Sequence, residues 1–284
     1  MDELISSPLI DWLIELALQE DIGLGDVTTR ALIPPDLLGE AQIRAKETLI
    51  VAGLPVAERV FQHLEPALIF AVQAEEGRKV KPGTVLALVT GPVAPILTGE
   101  RAALNFLMHL SGIATYTRQM VRRLKGFPVA LTDTRKTTPG LRLLEKYAVR
   151  LGGGRNHRLG LYDAVLIKNN HLAAVGSLTE AVRLARENSP KGISIEVEVS
   201  NLAGLEEALA AGADLIMLDN MDEAAMAEAV KIAAGRAQLE ASGGMTKERL
   251  PKVAATGVNF ISMGALTHSA PAVDIHLRLV KTWR

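Results

Sequence analysis

Residues 194–219 read SIEVEVSNLAGLEEALAAGADLIMLD, and this stretch decides the fold of the chain. A short apolar run rich in β-branched residues is followed by a helical pattern and then by a second apolar run, which together form one βα unit and the strand of the next. Four similar apolar runs occur elsewhere, at 129–135, 163–169, 237–242 and 260–264. Repeated βα units with buried strands predict a parallel sheet, and about six in series favour an incomplete α/β barrel of the TIM type.

The first hundred residues and the C-terminal tail follow other patterns. Apolar residues interspersed with acids at the N-terminus predict an amphipathic helix rather than a targeting segment. Gly and Pro punctuate residues 75–92, which predicts short antiparallel strands joined by tight turns. A helical pattern runs from about Gly99 to Leu124, and the residues after Pro271 predict one last helix.

Composition narrows the class of protein. The chain has 284 residues, 48% of them hydrophobic, which is enough for a barrel with an added smaller domain. There is no cysteine, which excludes disulfides, thiolate nucleophiles and cysteine-ligated zinc. A formal net charge of −1 and few aromatic residues disfavour nucleic acid as a partner, and no apolar run has the length of a membrane span. We therefore expect a soluble, cytoplasmic protein.

Positive charge is concentrated in residues 132–171, TDTRKTTPGLRLLEKYAVRLGGGRNHRLGLYDAVLIKNNH. Seven Lys or Arg lie between Arg135 and Arg158, against one acid, Glu145. Cations gathered beside glycines are typical of a site for a small, strongly anionic ligand. Three of these cations recur at helical spacing and are expected to face water: Arg142, Lys146 and Arg150.

The ends of the predicted strands carry the candidate chemistry. In a βα barrel the active site lies at the carboxyl ends of the strands. Reading only those positions gives a polar residue or a glycine after every strand: Arg135, Lys136, Lys168, Glu198, Asp219, Ser242, Gly243, Gly244 and Gly264. A random scatter of polar residues would not place one at each strand end.

These residues separate by chemistry. The first group contains the cations Arg135, Lys136 and Lys168, together with Arg158. These side chains suit carboxylates and phosphates. Lys168 follows an apolar strand and is expected to be buried, and because burying a lysine costs free energy, this position indicates function. The carboxylates Glu198 and Asp219 suit Mg²⁺ held through a diphosphate, or sugar hydroxyls. Glu196 shares a strand face with Glu198, and of the two we favour Glu198 for the site.

The glycines after the last two strands predict a cradle of backbone N–H groups for a phosphate, with Thr246 beginning the helix that faces it. His157 is the histidine favoured for a site role. Three other histidines are expected to be ordinary surface or helix residues: His63, His109 and His276. No spacing of histidines and carboxylates resembles a zinc site.

The run DTRKTTPGLRLLEKYAVRLGGGRNHRLGLYDAVLIKNNH resembles the core signature of the quinolinate phosphoribosyltransferase family. The resemblance covers nearly the whole chain. Further segments look like the family in its order: EDIGLGDVTT at 20–29, GERAALNFLMHLSGIAT at 99–115, EVEV at 196–199, LDN at 218–220, EASGG at 240–244 and SMGALTHS at 262–269. Only the first run is specific alone; together the segments are very specific.

The resemblance implies a type II phosphoribosyltransferase with an N-terminal α/β sandwich domain (1–111 plus the tail 271–284) joined to an incomplete α/β barrel (112–270). It implies that quinolinate and 5-phosphoribosyl-1-pyrophosphate give nicotinate mononucleotide, pyrophosphate and CO₂ with Mg²⁺, a step of de novo NAD biosynthesis. It also implies a homodimer, in which Arg101 reaches into the neighbouring subunit's site.

Carried over by position, the resemblance also implies roles for individual residues. Arg135, Arg158 and Lys168 would meet the quinolinate carboxylates, with Thr134 and His157 as further substrate contacts. The phosphoribosyl donor and its metal would meet Lys136, Glu198 and Asp219, the two carboxylates acting directly or through water and the diphosphate. The expected catalytic residues are Lys136, Lys168, Glu198 and Asp219. The 5-phosphate would be held by Ser242, Gly243, Gly244 and Gly264, with Met263, Ala265 and His268 nearby.

One departure and three alternatives remain open. Asn169 stands where the family usually has Asp, and we expect activity to survive this change. The nearest alternative is the paralogue of the same fold associated with molybdenum transport, which would act on another acceptor. A Schiff-base sugar-phosphate aldolase using Lys168 as nucleophile is a different class of enzyme. The third is a non-catalytic sensor of phosphoribosyl ligands.

Overall fold

The computed structural model describes residues 3–284 and divides into two compact units. The first unit contains the described residues up to Arg118, residues 138–153 and the tail from Ser269. The second contains Gln119–Thr137 and Gly154–His268.

The first unit is built on a four-stranded antiparallel sheet in the order β12-β1-β5-β3. Its strands are β1 (Leu38–Ala45), β3 (Ile69–Val72), β5 (Val85–Pro92) and β12 (Ile275–Trp283). Two short strands, β2 (Leu49–Ile50) and β4 (Lys79–Val80), pair separately. Every second residue of β1 is buried, so the sheet has one core face. The strands predicted within residues 75–92 are confirmed as β4 and β5.

Five helices complete this unit: α1 (Pro8–Ile22), α2 (Val27–Leu32), α3 (Leu54–Leu64), most of α4 (Val93–Arg123) and α5 (Arg142–Gly152). The N-terminal helix and the long helix predicted from Gly99 are confirmed, the latter beginning six residues earlier. Ser7 caps α1 by accepting a hydrogen bond from the Leu9 N–H, 3.3 Å, and a proline follows at the first helical position.

The tail is a strand, so the prediction of a final helix is wrong. Ile275, Leu277 and Leu279 alternate with more polar residues, which is the two-residue period of a strand. β12 pairs antiparallel along β1, with Leu277 opposite Ile43. The backbone hydrogen bonds that a helix would make within itself are made across the sheet instead.

The prediction that Lys146 faces water is also wrong. Six consecutive residues of α5, from Leu144 to Val149, are buried, so this helix has no solvated stripe through Lys146, whose exposure is 0%. Arg150 is exposed as predicted and Arg142 is half-buried. The buried Glu145 accepts hydrogen bonds from His109 Nε2 (2.9 Å) and from the Thr138 N–H (3.1 Å). His109 is therefore a helix residue with a buried carboxylate partner.

The second unit contains the six predicted strands in one parallel sheet. They are β6 (Ala130–Thr132), β7 (Val165–Ile167), β8 (Ile195–Val199), β9 (Leu215–Asp219), β10 (Gln238–Ser242) and β11 (Phe260–Ser262). The order is β6-β11-β10-β9-β8-β7. Since β6 and β7 form the two edges, the barrel is open between them, and the prediction of an incomplete barrel is confirmed.

The helices of this unit alternate with the strands: α6 (Asn169–Val175), α7 (Leu178–Asn188), α8 (Leu202–Ala210), α9 (Glu223–Ala233), α10 (Leu250–Ala254) and α11 (Ala265–His268). Polar side chains cap three of them, because Ser177, Asn201 and Asp222 accept hydrogen bonds from the first turns of α7, α8 and α9. These caps fix where each strand-to-helix loop ends, and so fix the loops at the carboxyl edge of the sheet. Among residues 3–284, no helix combines the length and the apolar character needed to cross a membrane.

Candidate active site

A cleft lies at the carboxyl ends of the strands in the second unit. Its empty volume is about 740 Å³, which includes the solvent at its open mouth. Nine of the sequence-predicted residues line it: Thr134, Arg135, Lys136, His157, Arg158, Lys168, Glu198, Asp219 and Ser242. They come from five of the six strand ends and from the loop that precedes β7, so the parallel sheet brings together residues far apart in the sequence.

Two arginines form the cationic wall of the cleft. The Nε atoms of Arg135 and Arg158 are both buried and have no hydrogen-bond acceptor among the described residues. Arg158 donates one bond, from Nη1 to the carbonyl of Ala164 at 3.1 Å. Burial, and after it the positive charge of Arg135, lowers the pKa of Arg158 below its usual value. Two half-buried arginines whose buried Nε–H groups have no acceptor are suited to an anion with more than one oxygen.

Lys168 stands at the end of β7 and reaches the neighbouring strand. Its Nζ lies 2.8 Å from Glu198 Oε2 at the end of β8. The side chain of Lys168 is 47% exposed, so the expectation that it is buried is wrong: the lysine follows the last residue of β7 and leans into an open cleft. Its backbone N–H donates to His171 Nδ1, 2.9 Å, which fixes the first turn of α6.

Three titratable groups cluster at the cleft, His157, Glu196 and Glu240, and two of them, His157 and Glu240, line it. His157 Nε2 is 2.8 Å from Glu196 Oε2 and 3.8 Å from Glu240 Oε2. Burial first, and the charge of Glu196 second, raises the pKa of Glu240 to about 7. The ligand-type atoms of these three residues lie within 4.8 Å of one another. Glu198, the glutamate favoured from the sequence, lines the cleft, and Glu196 does not.

The loop that carries His157 and Arg158 is anchored by Asp133, which is fully buried at the end of β6. Its carboxylate accepts from the His157 N–H at 2.9 Å and from the Asn156 amide at 2.6 Å. This aspartate therefore fixes the position of two candidate substrate contacts. Sequence reading missed it because it gave weight to the cations that follow.

The glycines after β10 adopt conformations that other residues avoid. Gly243 has φ +91° and Gly244 has φ +57°. A Cβ on Gly243 would lie 2.2 Å from Asn220 Oδ1, so the loops after β9 and β10 are in close contact. The Asn220 N–H also donates to the Ser242 carbonyl, 3.0 Å. This tight junction exposes backbone of the kind that cradles a phosphate.

The side chains of Lys136 and His268 both lie close to Gly264. A Cβ built there would be 3.0 Å from the Lys136 side chain and 3.2 Å from the His268 ring. Thr267 Oγ1 donates to the Lys136 carbonyl at 2.7 Å, which ties the loop after β6 to α11. The prediction that a helix begins at Thr246 is wrong, because residues 247–249 form a turn and α10 starts at Leu250.

Seven predicted residues do not line the cleft: Arg101, Gly243, Gly244, Met263, Gly264, Ala265 and His268. Arg101 is an exposed residue of α4 in the first unit. Met263 is 2% exposed and packs inside the second unit. The roles assigned to these seven residues stay predictions.

Four lining residues were missed by sequence reading: Leu166, Met217, Glu240 and Ser262. Glu240 and Ser242 are two apart on β10, so they point to the same face of the sheet. That alternation was the available signal for Glu240.

Comparisons with known proteins agree with this geometry. A family model described as "Quinolinate phosphoribosyl transferase, C-terminal domain" matches residues 113–278, and the corresponding N-terminal domain model matches residues 26–111. A Synechocystis protein named "Probable nicotinate-nucleotide pyrophosphorylase [carboxylating]" is 49% identical over 276 residues, which are 96% of this chain and 93% of that protein.

Solved structures give the same result. The crystal structure of NadC from Streptococcus pyogenes has a TM-score of 0.91 and 42% identity, covering 96% of this chain and 97% of that one. The nicotinate-nucleotide pyrophosphorylase from Francisella tularensis has a TM-score of 0.93 and 39% identity, covering 99% and 100%. The chain belongs to the quinolinate phosphoribosyltransferase family.

Proposed function

We propose that this chain is a nicotinate-nucleotide pyrophosphorylase (carboxylating). It converts quinolinate and 5-phosphoribosyl-1-pyrophosphate to nicotinate mononucleotide, pyrophosphate and CO₂, in de novo NAD biosynthesis and in the cytoplasm. The name of the Synechocystis relative supports the activity. The absence of cysteine is consistent with a reducing compartment.

One observation carries the choice of acceptor: the buried Nε atoms of Arg135 and Arg158 lack acceptors. Leaving a buried charged donor unpaired costs about 1–3 kcal/mol or more, so a ligand that supplies carboxylate oxygens is favoured over one that does not. Quinolinate has two adjacent carboxylates on a flat ring. With Lys168 at the same wall, the cleft has three cations for them.

Around the phosphoribosyl donor, the side chains of the cleft offset the charges of the ribose and the phosphates. Departure of pyrophosphate leaves positive charge on the ribose carbon, and the carboxylates of Glu198 and Asp219 line the cleft where such charge is offset. Lys136 lies beside Gly264, and its charge suits the phosphate groups. The backbone of Gly243 and Gly244 suits the 5-phosphate, since glycine lets an anion approach the N–H groups closely.

Loss of CO₂ follows from the chemistry of the acceptor. Once the pyridine nitrogen carries the ribose it is positively charged, and this charge stabilises the electron pair left on C2 when the carbon–carbon bond to the carboxylate breaks. A proton from solvent then replaces the carboxylate. The protein's share is to hold the ring against the donor in this geometry.

The residues present fit Mg²⁺. Glu198 and Asp219 end the neighbouring strands β8 and β9, and they line one cleft with oxygen donors, the ligands that Mg²⁺ prefers. When bound, Mg²⁺ supplies charge neutralisation for the diphosphate. In this structure Glu198 is paired with Lys168, so the lysine holds the carboxylate in the cleft.

The test is turnover with quinolinate, the phosphoribosyl donor and Mg²⁺, following CO₂ and nicotinate mononucleotide together. We expect one CO₂ for each nucleotide formed, and no product after the metal is removed with EDTA. Nucleotide without CO₂, or no nucleotide in the presence of Mg²⁺, contradicts the proposal.

We also propose a homodimer. Leu9, Trp12 and Leu16 are spaced three and four residues apart on α1, so they form one apolar stripe, and each is more than half exposed. An exposed apolar stripe of this size marks a surface that a partner covers. A second copy is the partner that the family resemblance implies, and it brings Arg101 with it.

Mixing two inactive variants tests the sharing of Arg101. Arg101→Ala and Lys168→Ala are each expected to be inactive alone. If Arg101 serves the neighbouring site, a mixed dimer has one intact site, and re-assortment restores about a quarter of wild-type activity. No recovery in re-assorted dimers contradicts the shared site.

Trp12→Glu tests the apolar stripe of α1. This variant is expected to weaken the dimer in sedimentation velocity.

A further inference from the structure

Arg249 makes three hydrogen bonds at the edge of the cleft. Its Nε donates to Glu223 Oε1 at 2.8 Å, its Nη1 to the Gly243 carbonyl at 2.8 Å, and its Nη2 to the Met221 carbonyl at 2.7 Å. Its side chain is 22% exposed. The hydrogen bond from Arg249 lowers the pKa of Glu223 below its usual value.

These contacts join two loops that meet at the candidate phosphate cradle. Met221 and Glu223 belong to the loop and first turn that follow Asp219, and Gly243 is the first cradle glycine after β10. Arg249 itself lies in the turn that precedes α10. One guanidinium group therefore holds the two loops that follow the cleft residues Asp219 and Ser242 against the turn that precedes α10.

The cradle formed by Gly243 and Gly244 needs hydrogen bonds such as those of Arg249 to keep its backbone in one conformation. Gly243 and Gly244 both have positive φ, and flexible glycines lose much conformational entropy when they are fixed. A backbone N–H binds an anion well only when it is held in position before the anion arrives. The bond to the Gly243 carbonyl orients the peptide that joins Gly243 to Gly244, so it orients the Gly244 N–H.

We propose that Arg249 is a positioning residue that holds the Gly243–Gly244 cradle in the conformation that binds the 5-phosphate of the phosphoribosyl donor. This inference rests on the proposed function of the cleft. Arg249 acts through backbone carbonyls rather than by touching the substrate. Its removal therefore affects binding of the donor more than binding of quinolinate, which the arginine wall holds.

The experiment compares Arg249→Met with Arg236→Met. Arg236 also donates from its guanidinium to a backbone carbonyl, that of Ile232 at 2.8 Å, but it lies before β10 at the opposite edge of the sheet. Both variants lose an arginine that ties down backbone. Only Arg249→Met is expected to raise the KM for the donor and the Kd for ribose 5-phosphate in calorimetry, by about tenfold, with the KM for quinolinate within twofold of wild type.

Two milder variants keep the test valid if Arg249→Met folds poorly. Arg249→Lys keeps a charge but cannot make all three bonds, and we expect an intermediate rise in the KM for the donor. Glu223→Gln leaves both carbonyl contacts in place, and we expect a rise of about twofold. Thermal unfolding of every variant separates loss of fold from loss of cradle geometry.

The outcomes separate the inference from the proposed reaction. If wild type turns over and none of the Arg249 variants changes the KM for the donor, the inference is wrong and the reaction stands. If Arg236→Met weakens ribose 5-phosphate binding as much as Arg249→Met, the effect is general destabilisation and the inference is again wrong. If wild type forms no product but Arg249→Met still weakens ribose 5-phosphate binding, the cradle stands without the reaction.

Discussion

The two edges of the six-stranded sheet use polar side chains in opposite ways. At the amino edge, Asp214 accepts hydrogen bonds from Arg186 at 3.1 Å and from the Ile195 N–H at 2.8 Å. Asn259 similarly accepts from the Leu239 N–H at 2.8 Å. At the carboxyl edge, the buried Nε atoms of Arg135 and Arg158 lack partners in residues 3–284.

Polar groups at one edge of the sheet therefore stabilise the fold, and those at the other edge are available to a ligand. Folded proteins pair nearly all buried polar groups, because an unpaired one costs about 1–3 kcal/mol. The amino edge follows that rule and its polar groups hold strands and helices together. The carboxyl edge does not, because Arg135 Nε and Arg158 Nε lack acceptors, and acceptor oxygens are the atoms that an anionic ligand would bring. Substitutions at the carboxyl edge should therefore change catalysis, and those at the amino edge should change stability.

Lys168→Ala should give the largest effect. It removes one of the cations of the cleft and releases Glu198, so we expect kcat to fall by about 10³. Because the Lys168 side chain is 47% exposed, the thermal unfolding midpoint should hardly change. Steady-state kinetics and calorimetry measure the two effects. A near-normal rate in this variant is incompatible with the assignment of the site.

Arg158→Met should weaken the binding of quinolinate and leave the binding of the phosphoribosyl donor nearly unchanged. Loss of a half-buried guanidinium that we propose faces the acceptor should raise the KM for quinolinate by about 10–100-fold and leave the KM for the phosphoribosyl donor close to that of wild type. Kinetics with each substrate varied in turn measure this split. Equal increases in the two constants would place Arg158 outside the acceptor site.

Glu240→Gln should change how stability depends on pH. A carboxyl whose pKa is raised to about 7 in the folded protein contributes stability that is full below its unfolded pKa of 4.5 and is lost as pH rises through about 7. Glutamine does not titrate there. Wild type should therefore lose about 1–3 kcal/mol of unfolding free energy relative to the variant between acid and neutral pH. Urea unfolding at several pH values measures the two slopes, and parallel slopes would contradict the raised pKa.

Arg186→Ala should give the smallest effect. It breaks the pair with Asp214 at the amino edge, where both side chains are nearly half exposed. Surface pairs of this kind contribute at most about 1 kcal/mol, so we expect a small loss in unfolding free energy and unchanged kcat and KM. A fall in kcat with the fold intact would show that the amino edge also shapes the cleft.

The sequence predicted the second unit well because its signals are local. Each of its six strands is a short apolar run, and α7 occupies the segment whose helical pattern indicated it. The tail was predicted wrongly because the pairing of β12 with β1 joins residues more than 200 positions apart, and only the alternation of Ile275, Leu277 and Leu279 hints at it.

Within the site, the sequence predicted residues whose side chains are charged and stand at strand ends. It did not predict groups that act through packing. Lys146 is buried although helical spacing placed it with exposed cations, because burial depends on what packs around α5. Asp133 and Arg249 hold loops by bonds to backbone groups that are distant in sequence or hidden in turns, and no residue pattern reports such bonds.

The choice of acceptor tests the central claim most directly, because the claim is that the unpaired Nε–H groups of Arg135 and Arg158 are there for a second carboxylate. The measurement is kcat/KM for quinolinate and for nicotinic acid, in wild type and in Arg158→Met, with the donor saturating. We predict that wild type prefers quinolinate by at least about 10³ and that Arg158→Met loses much of this preference. Equal use of the two acids by wild type would contradict the account.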